Sequence, residues 1–170
     1  EGAFGTPNGK TAHGLVRRSD RYRVLSIIDS AQAGRDAGDV LDGRSADIPV
    51  VDNLKAAMKR AAANQQLATH VVVGLAPDGG RLSREARDAV IEAIRSGLNV
   101  DSGLHDFLSE DPALAALAAE TGAVIRDVRR TPPRSDLHFF DGRIEQVEAF
   151  RVAILGTDSA VGKRTTAWLL

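Results

Sequence analysis

Residues 150–170 read Phe150-Arg151-Val152-Ala153-Ile154-Leu155-Gly156-Thr157-Asp158-Ser159-Ala160-Val161-Gly162-Lys163-Arg164-Thr165-Thr166-Ala167-Trp168-Leu169-Leu170. The apolar run 152–155 predicts a buried strand, a polar turn bounded by glycines follows, and Lys163 opens a segment of good helix formers. Strand, loop and helix in that order make a phosphate-binding P-loop. In it, successive backbone N–H groups and the helix N-terminus surround a phosphate, and a Lys neutralises the charge. Residues 156–166, from Gly156 through Lys163 to Arg164, Thr165 and Thr166, are therefore assigned to phosphate or nucleotide binding.

The loop departs from the common pattern in two places. Five residues separate Gly156 from Gly162 where four are usual, and Arg164 stands where a magnesium-binding hydroxyl normally follows the Lys. Phosphate binding is thus better supported than ATP hydrolysis, and Arg164 gives no support to a bound magnesium ion.

Working outward, the length of 170 residues suits one domain and a fraction of a second. A P-loop domain needs a parallel sheet beyond its first helix, so the expected organisation is a Rossmann-like domain over 1–128, a linker over 129–149, and the start of a truncated P-loop domain over 150–170. The 43% hydrophobic and 26% charged content is that of a globular chain able to bury a core. A net charge of −1 gives no reason to expect nucleic acid or an anionic membrane as partner. The chain has no Cys, which fits a reducing compartment, and no apolar run near the roughly 20 residues of a transmembrane helix. A cytoplasmic protein acting on a small molecule is expected, and a homo-oligomer stays open.

From the start, residues 1–14 predict a Gly-rich loop that follows a strand outside the chain. The Gly9-Lys10-Thr11 triplet lacks P-loop spacing, and there is no Gly-x-Gly-x-x-Gly fingerprint, so Lys10 and Thr11 are candidates only for a phosphate or carboxylate contact. Residues 22–29 predict a buried strand ending in Asp29, which lies about 20 residues past Gly9, where an acid can hold a ribose hydroxyl. A generic loop over 33–38 follows, then a short strand at 48–51 and a helix capped by Asp52 with Leu54, Ala57, Met58 and Ala61 on one face. Residues 69–75 predict a central strand, β-branched almost throughout.

The loop after it carries Arg81, placed to meet a carboxylate or phosphate. A helix over 83–96 stops at Gly97; a strand at 98–101 leads into a second candidate loop with Ser102 and His105; Asp111-Pro112 starts a helix that Gly122 ends; and 123–128 closes the domain as a strand. The alternation predicts an α/β fold, a Rossmann-like parallel sheet with flanking helices, followed by the start of a P-loop α/β domain. The Pro-rich stretch 129–136 marks the boundary, so 152–155 is expected to begin another sheet.

Residues 156–163 are similar to the P-loop of dethiobiotin synthetases, which share the five-residue spacing but place Thr directly after the Lys. The chain more closely resembles the D-glutamate N-acetyltransferase-like family, long described as a domain of unknown function, whose hallmark is Gly-Thr-Asp-x-Ala-Val-Gly-Lys-x-Thr-Thr. The segments 9–12, 28–30, 48–51, 102–105 and 127–130 resemble that family's N-terminal domain in sequence and order. The resemblance implies an acyltransferase acetylating D-glutamate or a related acidic amino acid, with acetyl-CoA as donor. Similarity to dethiobiotin synthetase implies instead an ATP-dependent ligase or kinase-like enzyme, and a third reading is a nucleotide- or CoA-binding module.

The four His residues, at 13, 70, 105 and 138, have no metal-ligand spacing, so no metal site is expected. His105 is the acid/base candidate, because it sits in a loop after a strand and an unperturbed imidazole, as a residue type, changes charge near neutrality, as acceptance of an amine proton requires.

Overall fold

The computed structural model describes residues 2–158 and 161–170, without the side chain of Asp78. The chain divides into two compact units, one reaching Thr131 and the other starting at Pro132.

The first unit alternates helices and short parallel strands. These are α1 (Lys10–Arg17), β1 (Ile27–Ile28), α2 (Ala37–Asp42), β2 (Val50–Val51), α3 (Leu54–Ala63), β3 (His70–Val72), α4 (Arg84–Arg95), β4 (Asn99–Ser102), α5 (Pro112–Thr121) and β5 (Ile125–Asp127). The α/β class, parallel strands with flanking helices, is as the sequence predicts. The single sheet expected over 22–128 is corrected: β1 pairs with β2 in one sheet, and β3, β4 and β5 pair in that order in another. Pairing is a long-range property that the apolar pattern of each strand does not carry.

The helices form where local chemistry closes their ends. Ser83 Oγ accepts from Ala86 N at 3.2 Å to start α4, and its face of Ala86, Val90, Ala93 and Ile94 is buried. In α5, Asp111 Oδ1 accepts from Ala113 N and Leu114 N, Pro112 takes the first turn, and Gly122 ends it. Arg87 reaches the same carboxylate at 2.6 Å and so ties α4 to α5. These helices pack Val90, Ile94 and Leu114 against Val100 of β4 to form the larger core, while Phe4, Ala37 and Val50 centre a smaller one under α1 and α2.

Three local expectations are corrected. Residues 1–14 are not a loop throughout: a 3-10 turn over Pro7–Gly9 leads straight into α1. Ala12 and Val16 of that helix pack on the smaller core, and partial burial of this stripe outweighs the poor propensity of Gly14. The cap of α3 is Asn53, whose Oδ1 accepts from Ala56 N at 2.8 Å, and not Asp52. The loop assigned to 33–38 ends in α2, which Asp36 caps.

On one face of the larger sheet, Arg126 of β5 donates to both carboxylate oxygens of Asp101 of β4, at 2.6 and 2.8 Å. The Tyr22 hydroxyl donates to the same carboxylate and accepts from Arg126. Burial opposes the Asp101 charge, but Arg126 and Tyr22 outweigh it and hold the carboxyl below its ordinary range.

In the second unit, two 3-10 turns over Arg134–Asp136 and Arg143–Gln146 precede an irregular stretch and then α6 (Lys163–Leu169). The strand expected at 152–155 is corrected, because this stretch is irregular and Val152 and Leu155 are exposed. Among the described residues of this unit there is no other strand for it to pair with, and an unpaired apolar run does not form a ladder.

Asp36 gives the sharpest stability test. Its Oδ1 accepts from the amides of Gly38, Asp39 and Ala46, and its Oδ2 from Ile48 N at 3.0 Å, closing α2 onto the strand that follows. The Ala46 amide foremost, with those of Asp39, Gly38 and Ile48, outweighs burial and lowers its pKa. A lowered folded-state pKa stabilises the fold above the unfolded value, about 3.9 for Asp, and that contribution is lost as pH falls through the folded value. Asp36→Ala should therefore cost about 1 kcal/mol near neutrality, read by chemical denaturation, and the wild-type and variant curves should converge below about pH 4.

Candidate functional site

In parallel α/β sheets the loops at the carboxyl ends of the strands form the ligand edge, and here the buried Asp29 and the half-buried Asp127 shape those loops. Asp29, directly after β1 and 1% exposed, accepts from Phe4 N at 2.7 Å through Oδ2 and from Ala31 N at 3.0 Å through Oδ1. Both oxygens serve the backbone and the side chain is buried, so little of the carboxylate is within reach of a ribose hydroxyl. Asp127, which ends β5, accepts in the same way from Leu108 N and Ser109 N, both at 3.0 Å. Its role was missed from the sequence, although an acid at the end of an apolar strand was the available signal.

The N-terminal loop lies along this edge. Ala12 N donates to Gly74 O at 3.1 Å and Ala76 N to Asn8 O at 2.7 Å, so residues 4–12 are bracketed between the ends of β1 and β3. Lys10 is exposed and Thr11 half-buried at the start of α1. His13 contacts Phe4 O through Nε2 at 2.6 Å and packs edge-on against the Phe4 ring, a fastening rather than a reactive position.

The loops after β3 and β4 interlock. Gly80 has φ +70°, and a Cβ there would lie 2.5 Å from His105 Cδ2, so only glycine fits against that ring. Arg81 Nε pairs with Asp106 Oδ2 at 3.3 Å, with both side chains largely exposed. Arg81 and His105 therefore meet at one place. Ser102 does not join them in solvent: it ends β4, is buried, and accepts from Leu104 N through Oγ. Arg129, which sequence reasoning passed over, donates from Nε to Gly103 O at 2.6 Å. His105 is exposed, and among the described residues nothing hydrogen-bonds its ring. A base so placed has access to substrate without a partner that orients it.

In the second unit, Gly162 precedes α6 with φ +91°, and Lys163 folds back so that its Nζ donates to Asp158 O. A Cβ on Gly156 would lie 2.9 Å from Val161 Cγ2 and 3.0 Å from Lys163 Cγ, so the loop closes tightly on itself. Thr157, Asp158 and Val161 are exposed around it, while Ser159 and Ala160 lie outside the described residues. Arg164, Thr165 and Thr166 are exposed on the first turn of α6. The hydroxyl of Thr165 is one position removed from that of a magnesium-binding P-loop. Among the described residues no group of three His, Asp or Glu is placed to hold a metal ion, and no helix is long and apolar enough to cross a membrane.

Comparison with known proteins agrees with this division. Residues 30–131 match the domain of unknown function DUF1611_N, described as a Rossmann-like domain, and residues 138–170 match DUF1611_C, described as a P-loop domain. Two curated relatives are each named D-glutamate N-acetyltransferase. The one from Tritonibacter scottomollicae is 37% identical over 97 residues, covering 57% of this chain and 28% of its own length. The one from a Pseudoalteromonas species is 32% identical over 96 residues, covering 56% and 28%. The chain thus spans 28% of the length of these relatives. The crystal structure of a DUF1611 family protein from Anabaena variabilis superposes with a TM-score of 0.74 at 29% identity, over 97% of this chain and 44% of that one. With its Rossmann-like match alone spanning more than half the residues, the chain belongs to the DUF1611 family.

Proposed function

We propose that this chain is part of an N-acetyltransferase that acetylates D-glutamate or a related acidic amino acid, with the P-loop holding the phosphates of acetyl-CoA. The observation that carries the reading is the pairing of a P-loop match with two relatives named for that activity. A tightly closed loop with Lys163 folded over it supports phosphate binding. A CoA phosphate would take Lys163 from the Asp158 carbonyl and exchange a neutral acceptor for a charged one.

In this reading the acceptor amine loses a proton to His105 and attacks the thioester carbonyl. The C–N bond forms as the tetrahedral oxyanion is made; its collapse breaks the C–S bond, and CoA leaves as the thiol on taking the proton back from His105. The exposed Arg81 guanidinium supplies a charge for an acceptor carboxylate, which would compete with Asp106 for it.

The full-length protein, incubated with acetyl-CoA and D-glutamate and assayed for free thiol and N-acetylated product, tests the proposal. ADP released from ATP without acetyl transfer would overturn it in favour of a ligase. Lys163→Ala should weaken donor binding roughly ten- to a hundredfold, the loss of about 1.5–3 kcal/mol of charge-assisted hydrogen bonding. His105→Ala should lower turnover by about a hundredfold or more while leaving donor affinity in place. Because Arg164 occupies the metal-binding position, chelating magnesium should change donor affinity little; a hundredfold loss would contradict the assignment.

A further inference from the structure

The end of β5 supplies a guanidinium beside the loop that carries His105. The ladder between β4 and β5 pairs Ser102 with Asp127 and runs one bond further, with Val128 N donating to Ser102 O at 2.8 Å. Arg129 therefore leaves the sheet next to the loop that begins at Gly103, and its Nε donates to Gly103 O at 2.6 Å. A Cβ on Gly103 would meet Val128 Cγ2 at 3.7 Å, so the two segments lie in van der Waals contact.

That loop is fixed at both ends. Ser102 Oγ accepts from Leu104 N, Leu104 is buried, and the carboxylate of Asp127 accepts from Leu108 N and Ser109 N where the loop closes. On its other flank Gly80 abuts the His105 ring and Arg81 meets Asp106. Arg129 and Arg81 thus contact Gly103 and Asp106 of one loop, and His105 lies on the stretch between them. Trans peptides join these residues, so the Cα atoms of Gly103 and Asp106 are at most about 11 Å apart.

The arginines at this edge differ in what holds them. Arg130 donates to the Ser109 hydroxyl at 3.1 Å, pairs with Glu110 at 3.6 Å and lies over the Phe107 ring. Arg81 has an exposed pair with Asp106, which a competing carboxylate displaces at little cost. Arg129 is exposed and, among the described residues, has no carboxylate within ion-pair distance; its bond is to a neutral carbonyl and uses Nε alone. The Nη1 and Nη2 edge, a fork that meets a carboxylate bidentately, is left for a ligand. The bond to Gly103 holds that fork in advance, so less rotamer freedom is lost on binding.

A pair of guanidiniums on one short loop suits a pair of carboxylates on one molecule. We infer that Arg129 determines specificity at the acceptor site: it holds the second carboxylate of a dicarboxylic amino acid, while Arg81 holds the first and the amine is presented to His105. This rests on the acetyltransferase reading and adds to it what separates an acidic acceptor from its amide. Glutamine, nearly equal in shape to glutamate, turns a neutral carbonyl and an NH2 group toward the same fork, and that NH2 meets donors with a donor. Discrimination then comes from a repulsive contact as well as from the lost ion pair.

Thiol release by the full-length protein with acetyl-CoA, measured with D-glutamate and with D-glutamine, tests this. The wild type should favour D-glutamate, and Arg129→Gln should lower that preference roughly ten- to a hundredfold through a raised KM for D-glutamate, with kcat changed less. Arg129→Lys, which keeps the charge without the fork, should fall between the two. A wild type without the preference, a preference that Arg129→Gln leaves unchanged, or a loss shared equally by both acceptors would reduce Arg129 to a brace for the loop and overturn the inference. Glutarate, a diacid with no amine to acetylate, separates this from the acetyltransferase reading. Its binding, followed by calorimetry, should weaken by the same factor in Arg129→Gln. Glutarate binding that depends on Arg129 in a protein that transfers no acetyl group would sink that reading and keep the dicarboxylate site. Acetyl transfer combined with glutarate binding indifferent to Arg129 would keep the reading and sink the site.

Discussion

The amides of the loops between strands and helices need acceptors, and in this fold carboxylates meet that need. Asp29 holds the N-terminal loop through Phe4 and its own following turn through Ala31. Asp127 does the same for residues 108 and 109, and Asp36 gathers four amides from two segments. An amide left unsatisfied in the interior costs on the order of 1–3 kcal/mol, so these acids determine where the loops of the carboxyl edge can lie. The packing of Phe4 under α1 and the meeting of Gly80 with His105 both depend on loops anchored in this manner.

The same chemistry sets the limits of what could be read from the sequence. Helices α3, α4 and α5 were legible because their signals are local: an apolar stripe at helical spacing, a polar cap, a terminal glycine. Helices α1 and α2 were not, the first because Gly14 interrupts its stripe and the second because six residues carry too little periodicity. Strands were legible as apolar runs, but their partners were not. The run 152–155 shows the difference, being as apolar as β2 and yet unpaired.

For the candidate site, position was more legible than role. Arg81 and His105 were picked as loop residues after strands, and the structure brings their loops together through Gly80, a contact between segments that no local pattern encodes. Asp29 was picked for a ligand, and its oxygens are instead bonded to the backbone. The difference is one of degree of satisfaction. A buried polar side chain engaged by its own fold presents little of itself to a substrate, whereas the exposed Arg81 and His105 stay within reach of one.

The Tyr22, Asp101 and Arg126 cluster joins three segments that lie far apart along the chain. Chimeras that graft the second half of a relative onto the first half of this chain would part Tyr22 from the carboxylate and guanidinium it bridges. A recombination point between residues 22 and 126 would therefore separate side chains whose hydrogen bonds depend on one another.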